Sequence, residues 1–66
     1  MNIYYLRVLG SSLIFETEVM AKGFSWSESG VYEFWTTDEN NIKIGVAYYP
    51  IERTVIESVD YDVDQS

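Results

Sequence analysis

Cysteine and histidine are both absent from the 66-residue sequence. Without them there is no disulfide, no zinc–thiolate site and none of the imidazole ligands that most transition-metal sites use. Their absence also removes the thiolate nucleophile and the commonest general base. Glycine occurs only at 10, 23, 30 and 45, so no glycine-rich loop cradles a phosphate. Positive charge is scarce: Arg7, Lys22, Lys43 and Arg53 are scattered singly against eleven acidic residues, for a net charge of −7. Nucleic-acid backbones and anionic membranes are bound by clustered cations, so neither is an expected direct partner. No apolar run approaches the roughly 20 residues of a membrane span. Residues 3–15 are apolar, but Arg7 interrupts them and no basic residue precedes them, so a signal peptide is not expected. The expected location is the cytoplasm.

Carboxylates, serines, tyrosines and two lysines remain as chemistry-bearing groups. Paired carboxylates serve glycoside hydrolysis only across a cleft, for which so short a chain has little room. The serines of "SWSES" have no base beside them and read as turn residues. The run "DYDVD" opens like a calcium loop, yet its sixth position is Gln65 where that loop needs glycine. No catalytic residue, metal or cofactor is expected, and the chain reads as a non-enzyme.

What is abundant is β-forming and aromatic. Hydrophobic residues make up 47 % and aromatic ones 17 %, and turn residues recur at the 8–12-residue spacing of small sandwiches and barrels. A chain this short buries only about 60 % of its unfolded surface, so large rings must supply much of the core. Gly10-Ser11 is expected as a two-residue hairpin loop, pairing Val8 with Leu13, Leu6 with Phe15 and Tyr4 with Thr17 on the core face. A loop Glu28-Ser29-Gly30, with Gly30 left-handed, pairs Trp26 with Tyr32 and Phe24 with Phe34. A loop Asp38-Glu39-Asn40, with Asn40 left-handed, pairs Thr36 with Ile42, Phe34 with Ile44 and Tyr32 with Val46. The two loops agree on an inward set of Phe24, Trp26, Tyr32, Phe34, Ile42, Ile44, Val46 and Tyr48. Pro50 ends the fourth strand. Residues 51–59 admit a short helix or a strand; one helical turn at 51–53 followed by a strand is favoured. The expected fold is all-β: a highly twisted antiparallel meander of five to six strands forming a small open barrel. Residues 1–66 read as a single domain, with 62–66 a frayed tail.

The stretch "VYEFW" (31–35) sets Phe34 and Trp35 on opposite faces of a strand. With Phe34 inward, Trp35 faces outward beside Val31, Glu33, Lys43, Ala47 and Tyr49, and Tyr5 extends that face. Trp35, Tyr49, Val31 and Tyr5 are therefore the expected apolar interaction face. Glu57, Asp60, Asp62 and Asp64 form the densest negative run; on a strand, the three aspartates would line one face about 7 Å apart. They are the expected acidic interaction face, presented to a basic protein as a mimic of spaced phosphates.

A β-hairpin followed by "GVYEF", a strand ending in "AYYP" and then "TVIESV" resembles small acidic all-β proteins encoded by bacteriophages and prophages. The resemblance spans most of residues 2–59. It implies a class only: accessory factors or inhibitors of host enzymes, including anti-restriction and anti-CRISPR proteins that mimic DNA, acting in the host cytoplasm. Together these readings lead to a non-catalytic inhibitor or modulator of a nucleic-acid-handling defence protein, with a basic protein partner and a homo-oligomeric state. Two alternatives stand beside it. One is an oligomeric sponge that traps a small nucleotide between aromatic rings, and the other is a structural or assembly accessory protein.

Overall fold

A computed structural model describes residues 1–62. It is nearly all β: β1 (Asn2–Leu9), β2 (Ile14–Ala21), β3 (Gly23–Trp26), β4 (Val31–Thr37), β5 (Lys43–Pro50) and β6 (Thr54–Asp60), with a single 3-10 turn at Ile51–Arg53. Pro50, extended at φ −67°, leads into that turn, and the chain returns to strand at Thr54. The β-branched content of "TVIESV" decides for strand over helix in the segment that follows. The strands form two antiparallel three-stranded sheets, ordered β2-β1-β6 and β3-β4-β5, which do not close into a barrel. The order within each sheet is sequential except that β6 returns to lie beside β1.

Lys22 alone separates β2 from β3, so one length of chain passes from the first sheet to the second. Its N–H donates to the Trp35 carbonyl at 2.8 Å. The inner faces meet in an aromatic cluster, where Tyr4 stands edge-on to Phe24 and Phe34 with centroids 5.5 and 5.2 Å apart. Tyr4, Leu6, Val19, Ala21 and Phe34 are buried, and Phe24, Tyr32, Ala47, Tyr49, Ile56 and Val59 pack around them. The Cα framework is a slab only 13 Å in its smallest extent, so each sheet has one face on the core and one in solvent.

The hairpin register of β3 and β4 is the expected one, with Trp26 opposite Tyr32, Phe24 opposite Phe34, and Gly30 left-handed at φ 84°. Two other registers differ from expectation. The first hairpin turns through residues 10–13 rather than through Gly10-Ser11 alone, closed by a bond from the Gly10 N–H to the Leu13 carbonyl. This slips β2 by two residues, so Tyr4 faces Val19 and Leu6 faces Thr17. A slip of two keeps every side chain on its face. It also brings Val19 and Ala21 beneath the second sheet and leaves Leu13 and Phe15 exposed.

The second correction is larger. The Asp38 carboxylate accepts the N–H groups of Asn40 and Ile42 at 2.8 and 3.0 Å, and Asn41, not Asn40, takes the left-handed position (φ 62°). A bulge at Val46 then inserts one residue into β5 opposite the Phe34–Trp35 step, so Phe34 pairs with Ala47 and Tyr32 with Tyr49. One inserted residue reverses the alternation beyond it. Ala47 and Tyr49 therefore point inward, while Ile42, Ile44, Val46 and Tyr48, expected in the core, are exposed. Trp26, also expected inside, is 71 % exposed at the open end between the sheets.

Candidate interaction surfaces

The residues expected to form one apolar face are placed in three environments. Trp35 and Val31 lie on the outer face of the second sheet. Tyr49 is turned to the core, its ring edge-on to Phe34 at 6.1 Å. Tyr5 lies on the outer face of the first sheet, paired with Glu18 and Ser58. Trp35 and Tyr49 thus occupy opposite faces of the second sheet, so the two rings cannot stack on one base. The β5 bulge is the cause, and a mid-strand Gly45 is the one local sign of it, since glycine inside a strand marks bulges and close approach.

Trp35 is half-buried and sits between two glycines, with Gly23 opposite on β3 and Gly45 opposite on β5. Its ring lies across Gly23, where a Cβ would fall 2.8 Å from Cζ2. Lys43 Nζ stands 5.3 Å from the ring centroid and 3.4 Å from the Glu33 carboxylate. Glu33 also accepts the Tyr48 hydroxyl at 3.3 Å. One anion and one cation balance each other there, and Lys22 Nζ donates to the Thr37 hydroxyl on the same face, so this face holds no surplus of negative charge. A groove of about 320 Å³ beside it is lined by Ser25, Ser27, Ser29, Val31, Glu33 and Tyr48, with Trp26 at its edge. The Ser27 and Ser29 hydroxyls bond to each other at 2.6 Å, as turn serines do.

The outer face of the first sheet is different. Strand pairing sets Glu16 opposite Arg7 and Glu18 opposite Tyr5 on β2, and Asp60 opposite Ile3 on β6. A β-bulge in β6 admits Glu57 as an extra residue, and its carboxylate meets Arg7 Nε at 2.7 Å, with Glu16 3.9 Å away on the other side. Tyr5 donates its hydroxyl to Asp60 at 2.8 Å. The three strands therefore place Glu16, Glu18, Glu57 and Asp60 on one face with one cation, Arg7, which meets Glu57 and Glu16: four negative charges and one positive, for a net −3. Glu16 and Glu18 were not among the expected acidic residues, although "ETE" alternates as a strand face does. β6 ends at Asp60; Asp62 lies beyond it at φ 55°, its N–H donating to Asn2 Oδ1. The strand-spaced aspartate array therefore does not extend to Asp62, and Asp64 lies outside the described residues.

The Asp60 bond, then desolvation and the negative potentials of Asp60 and Glu18, push the Tyr5 phenol above its ordinary value of 10.0. A raised value means the neutral phenol is favoured in the folded chain. That stabilisation is present in full below pH 10 and is lost as pH rises through the higher folded value. In an ultraviolet titration of the six tyrosines, Tyr5 is expected to ionise late in the wild type and earlier in Asp60→Ala. Superimposable curves would show that Asp60 does not hold the phenol.

Among the described residues no three metal-binding side chains gather into a site, and no helix is long and apolar enough to cross a membrane. No protein-family model, curated protein or solved structure matches the chain.

Proposed function

We propose that this chain is a non-catalytic interaction protein that engages a basic protein surface through the outer face of β2-β1-β6. In the reading developed from the sequence, that surface belongs to a protein that normally grips nucleic acid, which the chain inhibits or modulates. The observation that carries the proposal is the convergence of Glu16, Glu18, Glu57 and Asp60 from two strands flanking β1. A flat sheet fixes such charges in a two-dimensional array without ordering a loop, and a fixed array of one sign speeds encounter with its complement.

The test is displacement of labelled duplex DNA from a panel of basic nucleic-acid-binding proteins. A triple variant, Glu16→Gln with Glu18→Gln and Asp60→Asn, is compared with Glu28→Gln/Glu39→Gln/Glu52→Gln, which neutralises the same amount of charge at exposed positions elsewhere. The wild type and the second triple are expected to displace DNA from at least one panel member. The first triple is expected to lose at least tenfold in potency, and the wild type to weaken as salt rises. Equal losses in both triples would reduce the effect to net charge, and no displacement from any member would end the proposal.

A further inference from the structure

We infer that β5 is the edge through which two copies of this chain join, antiparallel, into one continuous six-stranded sheet. This goes beyond the acidic face, which belongs to the other sheet, and does not depend on its function.

An unpaired strand edge presents a row of free N–H and C=O groups, and proteins blunt such edges with charge, shortness, proline or bulges. Each sheet here has two edges; β5 is also bulged and ends at Pro50, so what sets it apart from the other three is a long charge-free run after Lys43. β2 carries Glu16 and Glu18 along its length. β6 carries Glu57 and Asp60 and is bulged. β3 is only four residues long. β5 is eight residues long, and after Lys43 its sequence "IGVAYYP" holds no charge at all. Among the described residues it has one strand neighbour, β4.

The exposed side chains point the same way. Ile44, opposite Thr36, shares the Phe34 face, whereas Tyr48, opposite Glu33, shares the Trp35 face. They are 44 % and 62 % exposed, and Val46 between them is 46 % exposed. Apolar groups bare on both faces of one strand are covered by a neighbouring strand, which brings cross-strand partners to each face. A partner docking on either face alone covers only half of them.

Charge selects a second copy as that neighbour. Two chains of −7 repel, so they associate where their own charges do not meet. Self-pairing of β2 would set Glu16 and Glu18 beside their equivalents. A two-fold axis at Ala47, beside the bulge, sets Gly45 opposite Tyr48 and Ile44 opposite Tyr49 of the second copy, each pair on one face. It sends the two Lys43 side chains to opposite ends, roughly 20 Å apart at about 3.3 Å per residue.

Solution mass across a dilution series tests this with three variants. The wild type is expected at about twice the 7.7 kDa of the chain, and Val46→Lys at the monomer mass. Val46 has no partner on β4, so the lysine adds charge without breaking the internal ladder. The chain has no cysteine, so Val46→Cys is expected to cross-link to its own equivalent on mild oxidation. Val55→Cys, on the exposed β6 edge, is expected to stay monomeric. The Cys pair decides even where Val46→Lys fails to fold. A wild-type monomer at every concentration, a dimer that keeps its mass in folded Val46→Lys, or equal cross-linking at 46 and 55 would each overturn the inference.

Discussion

Phe34→Ala is expected to leave the chain largely unfolded at 25 °C. Phe34 has no exposed surface and lies at the middle of the central strand of the second sheet. Its ring touches those of Tyr4, Phe24, Tyr32 and Tyr49, with centroids 5.2 to 6.5 Å apart. Removing a buried phenylalanine costs about 3–5 kcal/mol, the sum of lost transfer energy and the cavity left behind. A 66-residue domain has only about 3–10 kcal/mol in total, at roughly 0.05–0.15 per residue. The rings that would have to close the cavity belong to both sheets, so collapse of the site would pull the sheets out of register. Near-ultraviolet circular dichroism should lose its aromatic signal, and urea titration should show no native baseline. A cooperative transition within about 1 kcal/mol of wild type would show that the inter-sheet aromatic cluster is not what holds the fold.

Gly23→Ala is expected to destabilise the chain by about 1–3 kcal/mol, the range for overpacking, while Gly45→Ala is neutral or slightly stabilising. Both glycines face an aromatic side chain, but the physical situations differ. At Gly23 the added methyl would meet the body of the Trp35 ring, 2.8 Å from Cζ2 and 3.1 Å from Cε2. Lys43 Nζ stands over the indole, and what must shift is the body of a ring rather than the far end of a flexible chain. This is the pairing in which an aromatic ring covers a strand glycine and restores the packing that the missing side chain leaves out. At Gly45 the nearest group is the Tyr48 hydroxyl, the far end of a side chain that is 62 % exposed. Tyr48 swings into solvent at the loss of one exposed bond to Glu33. Replacing a strand glycine meanwhile recovers about 0.5–1 kcal/mol of backbone entropy. Tryptophan fluorescence read alongside urea midpoints checks both. The same cost at 23 and 45 would mean that Trp35 does not rest on Gly23.

Both results bear on which interaction surface is real. Trp35 is the residue that the sequence most strongly marks as left over, because Phe34 takes the inward position beside it. The structure half-buries its ring within the sheet, laid across Gly23 and beside Lys43. The exposed apolar groups lie instead along β5. The acidic face was half legible: Glu57 and Asp60 are evident as charge, but Glu16 and Glu18 join them only through the pairing of β1 with both β2 and β6. The β1–β6 half of that pairing joins residues 46 (Val8 with Thr54) to 57 (Ile3 with Asp60) positions apart, and no local pattern specifies it.

The sequence by itself determined whatever rests on local chemistry. Alternation and β-branched content made the chain all-β, and Gly30 supplied the one left-handed position that sets the β3–β4 register. Pro50 marked a strand end, counted fourth from the sequence and fifth in the structure because Lys22 divides β2 from β3. Tertiary structure decided the rest, for reasons of parity. A two-residue slip in the first hairpin leaves Tyr4 and Leu6 facing inward in either register, so alternation cannot distinguish the two; burial of Val19 and Ala21 does. In β5 one extra residue at Val46 reverses the faces, bringing Ala47 opposite Phe34 and turning Tyr48 out to solvent. Crowding of four rings around Phe34 leaves room opposite it for a methyl group and not for a branched side chain. That is a property of the assembled core, and it exists only once the two sheets have met.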